Sequence, residues 1–123
     1  MNRILVLIFI LLFALQQDNK AQTGNVRICH SVVFKLRHAP GSSAEKDFLE
    51  ALLKLAKIPE VENLHLANEI SRKNNYDFFL SMEFANQGAY DRYNNHPDHV
   101  AFVQQRWLNE VEDFLEIDFP LEN

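Results

Sequence analysis

Two histidines and a tyrosine carry the side chains best suited to moving a proton. His30 lies in an alternating apolar stretch, and Tyr93 and His99 bracket the segment Tyr93-Asn94-Asn95-His96-Pro97-Asp98-His99. A histidine titrates near neutrality and so serves as general base or general acid. A tyrosine hydroxyl can hold a carbonyl or enolate oxygen by hydrogen bond. Gathered in an apolar pocket, the three suit proton abstraction beside a carbonyl, as in aldol-type ring closure. His99 would be the base, Tyr93 the oxyanion donor and His30 the orienting partner. The same residues also suit plain packing. A histidine at a helix start satisfies backbone groups, a strand histidine can be a hydrogen-bonded core residue, and a buried tyrosine usually finds a partner for its hydroxyl.

Other chemistries find little footing. His96 and His99 stand three apart, but Pro97 disrupts the helical geometry that would align their rings, and no third ligand is near in sequence. No metal is expected. The chain has only 3 Gly, so a phosphate-cradling loop is absent, and no nucleophile elbow occurs. No cofactor is expected. Cys29 is the only cysteine and forms no internal disulfide; in its strand-like setting it reads as a small buried hydrophobe. The 12 Lys and Arg face 17 Asp and Glu, for a formal net charge of −5, with no long basic run. Nucleic acid and anionic membrane surfaces are therefore poor partners. The acidic residues Glu110, Glu112, Asp113 and Glu116 read as a solvated face.

The elements that must position these groups follow from periodicity. Val26 to Arg37 alternates, with Val26, Ile28, His30, Val32, Phe34 and Leu36 on one face and Cys29 and Val33 on the other. After the turn at Ala39-Pro40-Gly41-Ser42, Ser42 and Glu45 form a capping box. The helix runs to about Lys57 with Phe48, Leu49, Leu52 and Leu55 on its apolar face, and Pro59 stops it. Val61 to Ile70 reads as a second strand, with Leu64, Leu66 and Ile70 on one side. Ser71 to Asn75 is a polar connection, and Tyr76 to Phe84 is a third strand with Phe78 and Phe84 on its apolar face. Asn86 caps a helix to about Asn95. Pro97 begins another helical stretch whose Val100, Val103, Trp107 and Val111 share a face. Phe114 to Phe119 is the last strand.

The order β-α-β-β-α-β predicts an α+β, ferredoxin-like fold: an antiparallel sheet with helices on one face. His96, Phe34, Phe78, Val103 and Trp107 are expected to line a pocket for a small apolar ligand beside His30, Tyr93 and His99. The opposite sheet face is left bare, with Cys29, Val33 and Phe79 poorly solvated. Burying one phenylalanine contributes about 1.5–3 kcal/mol, so two such faces should pair. The expected assembly is a homodimer that closes an α/β barrel.

The start of the chain has the three parts of an export signal. Arg3 supplies the positive charge, Ile4 to Leu15 is unbroken and apolar, and a polar stretch ends at Ala21. The apolar run is shorter than the roughly 20 residues that span a bilayer. Residues 1–21 are therefore expected to be a cleavable signal peptide, with no stable membrane anchor. Residues 22–123 would form one domain, periplasmic or secreted.

Several stretches carry a family likeness. His30-Ser31-Val32-Val33-Phe34-Lys35-Leu36, the segment from Tyr93 to Phe102 with its Tyr-x-x-His-Pro-x-His-Val pattern, and Ile117-Asp118-Phe119 resemble the stress-responsive α/β-barrel (Dabb) domain family. The resemblance covers roughly Arg27 to Leu121. It implies a dimeric ferredoxin-like barrel. It also implies site residues, because one plant member closes a polyketide ring by aldol condensation. Its general base falls on His99, its assisting tyrosine on Tyr93 and its first-strand histidine on His30. Three functions follow in order of expectation: an exported small-molecule-binding domain tied to stress response, a cofactor-independent lyase or cyclase, and a structural or interaction module.

Overall fold

In the computed structural model, which describes residues 25–122, four strands form one antiparallel sheet in the order β2-β3-β1-β4. The strands are β1 (Arg27–Leu36), β2 (Glu62–Asn68), β3 (Phe78–Phe84) and β4 (Val111–Leu121). The expected signal peptide lies outside the described residues. Among the described residues no helix is long and apolar enough to cross a membrane.

Helices cover one face. α1 (Ser43–Leu53) continues as a 3-10 turn (Lys54–Lys57). Ser42 caps α1 by accepting from the Glu45 N–H at 3.2 Å, while the Glu45 carboxylate reaches back to the Gly41 N–H. The reciprocal bond thus lands one residue before the cap itself. Gly41 has φ +76°, a left-handed conformation that costs glycine little. α2 (Gln87–Asn95) is capped by Asn86, whose side chain accepts from the Ala89 N–H. α3 (Pro97–Phe102) starts with proline in its first turn, then widens into a π turn (Val103–Trp107) and ends as α4 (Leu108–Glu110). The break falls at His96-Pro97 because the residue before proline is driven to an extended conformation.

The core lies between helices and sheet. Phe34 and Phe48 are fully buried at its centre, with Phe78, Phe102 and Trp107 packed around them. Phe84 supports α2, stacked on Tyr90 at 4.8 Å and tilted against Tyr93 at 5.0 Å.

Some expected boundaries move. β2 ends at Asn68, and Ile70 is 89% exposed rather than on the core side, because the chain has already left the sheet. β3 starts at Phe78, later than Tyr76. β4 begins at Val111, which pairs with Leu36 and does not extend the helical face. β4 also runs through Pro120, opposite Ile28. An edge strand needs ladder donors on one side only, so proline is tolerated there.

The register decides which side chains meet. Phe34, Val32 and His30 of β1 stand opposite Phe114, Glu116 and Asp118 of β4. All six point to the helices. The alternate residues Val33, Ser31 and Cys29 stand opposite Leu115, Ile117 and Phe119 on the uncovered face. There Leu115 is 51% exposed, Ile117 50% and Phe119 44%. Most of the bare apolar surface therefore belongs to β4. Cys29 is buried, and Val33 and Phe79 are half-buried.

Candidate functional site

Where α2, α3 and the π turn stand off from the sheet, they leave a cavity of about 330 Å³. Its polar lining is His30, Tyr90, Tyr93, Asn94, His99 and Glu116; Phe102, Val103, Trp107 and Phe114 supply much of the apolar wall. A π turn widens a helix locally and often marks a functional site. Here it carries Val103 and Trp107 into the wall.

His30 comes from the middle of β1. Its Nδ1 lies 2.6 Å from Asp118 Oδ1 and 2.9 Å from the Tyr90 hydroxyl, which donates to Asp118 Oδ2 at 2.8 Å. A carboxylate only accepts, so Nδ1 carries the proton that His30 gives to Asp118. That fixes the ring and turns Nε2 away from the carboxylate. The Tyr90 hydroxyl is held on its proton well above its ordinary range by burial and by the bond to Asp118. It acts as a donor and a spacer.

His99 stands in the first turns of α3. Its Nδ1 donates to the Asn94 carbonyl at 3.1 Å, which leaves Nε2 as the acceptor. Burial lowers its pKa; the Asn94 carbonyl opposes this, and proximity to His30 adds to it. The result is a neutral imidazole suited to accept a proton. Tyr93 packs against it with ring centroids 4.3 Å apart. Burial, then the charge of Glu116, raises the Tyr93 pKa. Its hydroxyl has no protein hydrogen-bond partner among the described residues and is a donor available to a ligand.

The structure thus places His30, Tyr93 and His99 in one cavity, with Val103 and Trp107 in its wall. The other residues expected in the lining lie elsewhere. Phe34 and Phe78 sit in the core, with ring centroids 5.3 Å apart. His96 caps α3, its Nδ1 accepting from the Asp98 N–H. Among the described residues no three His, Cys, Asp or Glu side chains are grouped to hold a metal.

Sequence reasoning missed Tyr90, Asp118 and Glu116. Tyr90 precedes Tyr93 by three, so both belong to one helical face. Asp118 and Glu116 alternate with Ile117 and Phe119, a period-two signal that places two carboxylates on the helix side. The expected solvated acidic face holds at Glu112, Asp113 and Glu116, which are exposed, although Glu116 also borders the cavity; Glu110 departs from it, half-buried and bound by Arg106 and His38.

Comparison with known proteins agrees with this architecture. A Dabb family protein with a ferredoxin-like fold from Mesorhizobium loti is similar at 52% identity and a TM-score of 0.76, over 80% of this chain and 99% of that one. A dimeric ferredoxin-like protein of unknown function from Thermobifida fusca is similar at 25% identity and a TM-score of 0.66, over 79% of this chain and 92% of that one. The hydroxynitrile lyase of Passiflora edulis shares the fold at 10% identity and a TM-score of 0.71, over 80% of this chain and 96% of that one. No match was found among the curated proteins. The family model described as the stress responsive A/B barrel domain matches residues 28–121. The chain belongs to the stress-responsive α/β-barrel (Dabb) domain family.

Proposed function

We propose that the protein is an exported, homodimeric binding domain whose cavity holds a small, mainly apolar molecule, with a role in stress response. The observation that carries this reading is the cavity itself. Its roughly 330 Å³ lies between sheet and helices, and its aromatic walls are interrupted by a few convergent polar groups. Ligand sites have this character. A structural module would more simply fill that space with side chains. The homodimer is supported by the exposed row Leu115, Ile117 and Phe119 and by dimeric relatives at 25% identity. Export rests on residues 1–21 of the sequence. The stress role rests on the family's description.

Native mass spectrometry of the protein purified from its own source tests binding and assembly together. The expected spectrum shows a dimer of chains that begin near residue 22, with added mass from a retained small molecule. A bare monomer that also fails to bind apolar probes would refute the reading.

A second reading is favoured by the state of His99. A neutral imidazole with a free Nε2, beside the unpartnered Tyr93 hydroxyl, is the arrangement for abstracting a proton next to a carbonyl. In a cofactor-independent lyase or cyclase, with aldol chemistry like that of polyketide cyclases, His99 would take the proton. Tyr93 would hold the enolate oxygen, and His30, fixed by Asp118, would orient the substrate. His99→Ala would then abolish turnover and leave binding and folding intact. Unchanged turnover in that variant would remove His99 from the chemistry.

A further inference from the structure

The polar lining of the cavity has one charge without a counterpart. Glu116 stands on β4 opposite Val32 and points to the helices, among Tyr90, Tyr93 and His99. It makes no ion pair or hydrogen bond among the described residues. The lining contains neither Lys nor Arg. Three arginines are committed to other carboxylates: Arg27 to Glu62 and Glu83, Arg92 to Glu60, and Arg106 to Asp47 and Glu110. Any positive charge on His30 is matched by Asp118 at 2.6 Å. Glu116 is exposed, so it stands at the open side of the cavity; a carboxylate bordering aromatic walls, with no cation in the lining, is a setting that attracts an organic cation. The carboxylate supplies a charge-assisted hydrogen bond, and the faces of Tyr and Trp rings attract positive charge. The same field repels a carboxylate or phosphate.

We infer that Glu116 selects the ligand: the cavity takes a small aromatic molecule bearing a protonated amine, and rejects its anionic counterpart. This rests on the reading of the cavity as a ligand site. Size limits the body of the ligand. An apolar cavity of about 150 Å³ accommodates benzene, so the roughly 330 Å³ here fits one or two rings with a short side chain. The ring would lie against Trp107 and Phe102, and the ammonium group would reach Glu116.

Three probes of nearly one shape separate charge from size: 2-phenylethylamine, 2-phenylethanol and phenylacetate. Titration calorimetry at pH 7.5 and low salt gives their affinities, and the Trp107 indole N–H resonance reports whether each enters the cavity. The amine is expected to bind about tenfold tighter than the alcohol, as one charge-assisted hydrogen bond allows. The acid should bind most weakly. Glu116→Gln keeps the shape of an exposed side chain; it should bring amine and alcohol within about twofold of each other and leave the alcohol unchanged. Equal binding of amine and alcohol by the native protein, or an amine preference that survives Glu116→Gln, overturns the inference and leaves the ligand site standing. If no probe shifts the Trp107 signal at millimolar concentration, the ligand-site reading falls with it.

Discussion

Replacing Ile117 by lysine is expected to convert the proposed dimer into folded monomers. Ile117 sits at the centre of the bare row on β4, between Leu115 and Phe119, and retains 50% of its exposure in the single chain. Full burial of an isoleucine contributes roughly 1.5–3 kcal/mol, so covering the remaining half is worth roughly 1 kcal/mol. A two-fold interface uses the position twice, which makes the lost apolar gain about 2 kcal/mol. The larger effect is the ammonium group. Two lysines forced under a covered sheet face cost several kcal/mol each in desolvation and repel one another. A total above about 5 kcal/mol weakens the dimer by more than about a thousandfold. The monomer itself should keep its stability, because the new side chain points to solvent there. Sedimentation velocity over a micromolar concentration series reads the dissociation constant, and far-ultraviolet circular dichroism checks the fold. A lysine variant that remains dimeric at native affinity would show that the subunits meet through another surface.

Two further outcomes concern the chain's own ionisable groups. Arg106 donates to Glu110 through Nε and to Asp47 through a second nitrogen, and its guanidinium lies over the Phe48 ring. Arg106→Ala should cost about 1–3 kcal/mol in urea denaturation. It should also flatten the acid limb: Arg106 lowers the Glu110 pKa, so this carboxylate stabilises above its ordinary 4.5 and loses that contribution as pH falls through its folded value. An unchanged acid limb would deny the network that role. For His99, burial lowers the pKa below the ordinary 6.5, so between these values the unfolded chain binds more protons. Stability should therefore fall as pH drops below about 6.5, and His99→Gln should remove that part of the slope in denaturation at a series of pH values.

Much of this arrangement is legible in the sequence because period and capping are local. Ser42, Asn86 and Pro97 mark helix starts by rules that involve a few neighbouring residues, and the alternation around His30 assigns it to the helix side of β1. The cavity residues His30, Tyr93 and His99 could be named for the same reason, since each lies at a recognisable place in its element. The partners are harder to read. Asp118 meets His30 only through the pairing of strands 88 residues apart in sequence. The ends of β4 were obscured by local signals that point the other way. Val111 fits the preceding helical face as well as a strand, and Pro120 reads as a stop until the strand is known to be an edge. Phe34 and Phe78 fell among the expected lining residues because a face pattern locates the core without showing where the core stops and a cavity begins. The π turn at Val103–Trp107 widens the helix in a way that no simple period predicts.

β4 ties the proposed assembly to the proposed site. Its odd residues Leu115, Ile117 and Phe119 form the bare row, and its even residues Phe114, Glu116 and Asp118 face the helices. A strand cannot shift one set without moving the other, because successive side chains share one pleated backbone. The Ser31 hydroxyl, which donates to the Ile117 carbonyl at 2.6 Å, adds a side-chain tie between β4 and its neighbour β1. β4 is also an edge of the four-stranded sheet, the place where strands fray most easily. A partner that covers the odd face would therefore hold the even face in place. The geometry on which His30 depends, a carboxylate 2.6 Å from its Nδ1, would then be supported by the subunit contact on the far side of the same strand. This gives a physical reason for a small domain to dimerise through its sheet while keeping the proposed site under its helices.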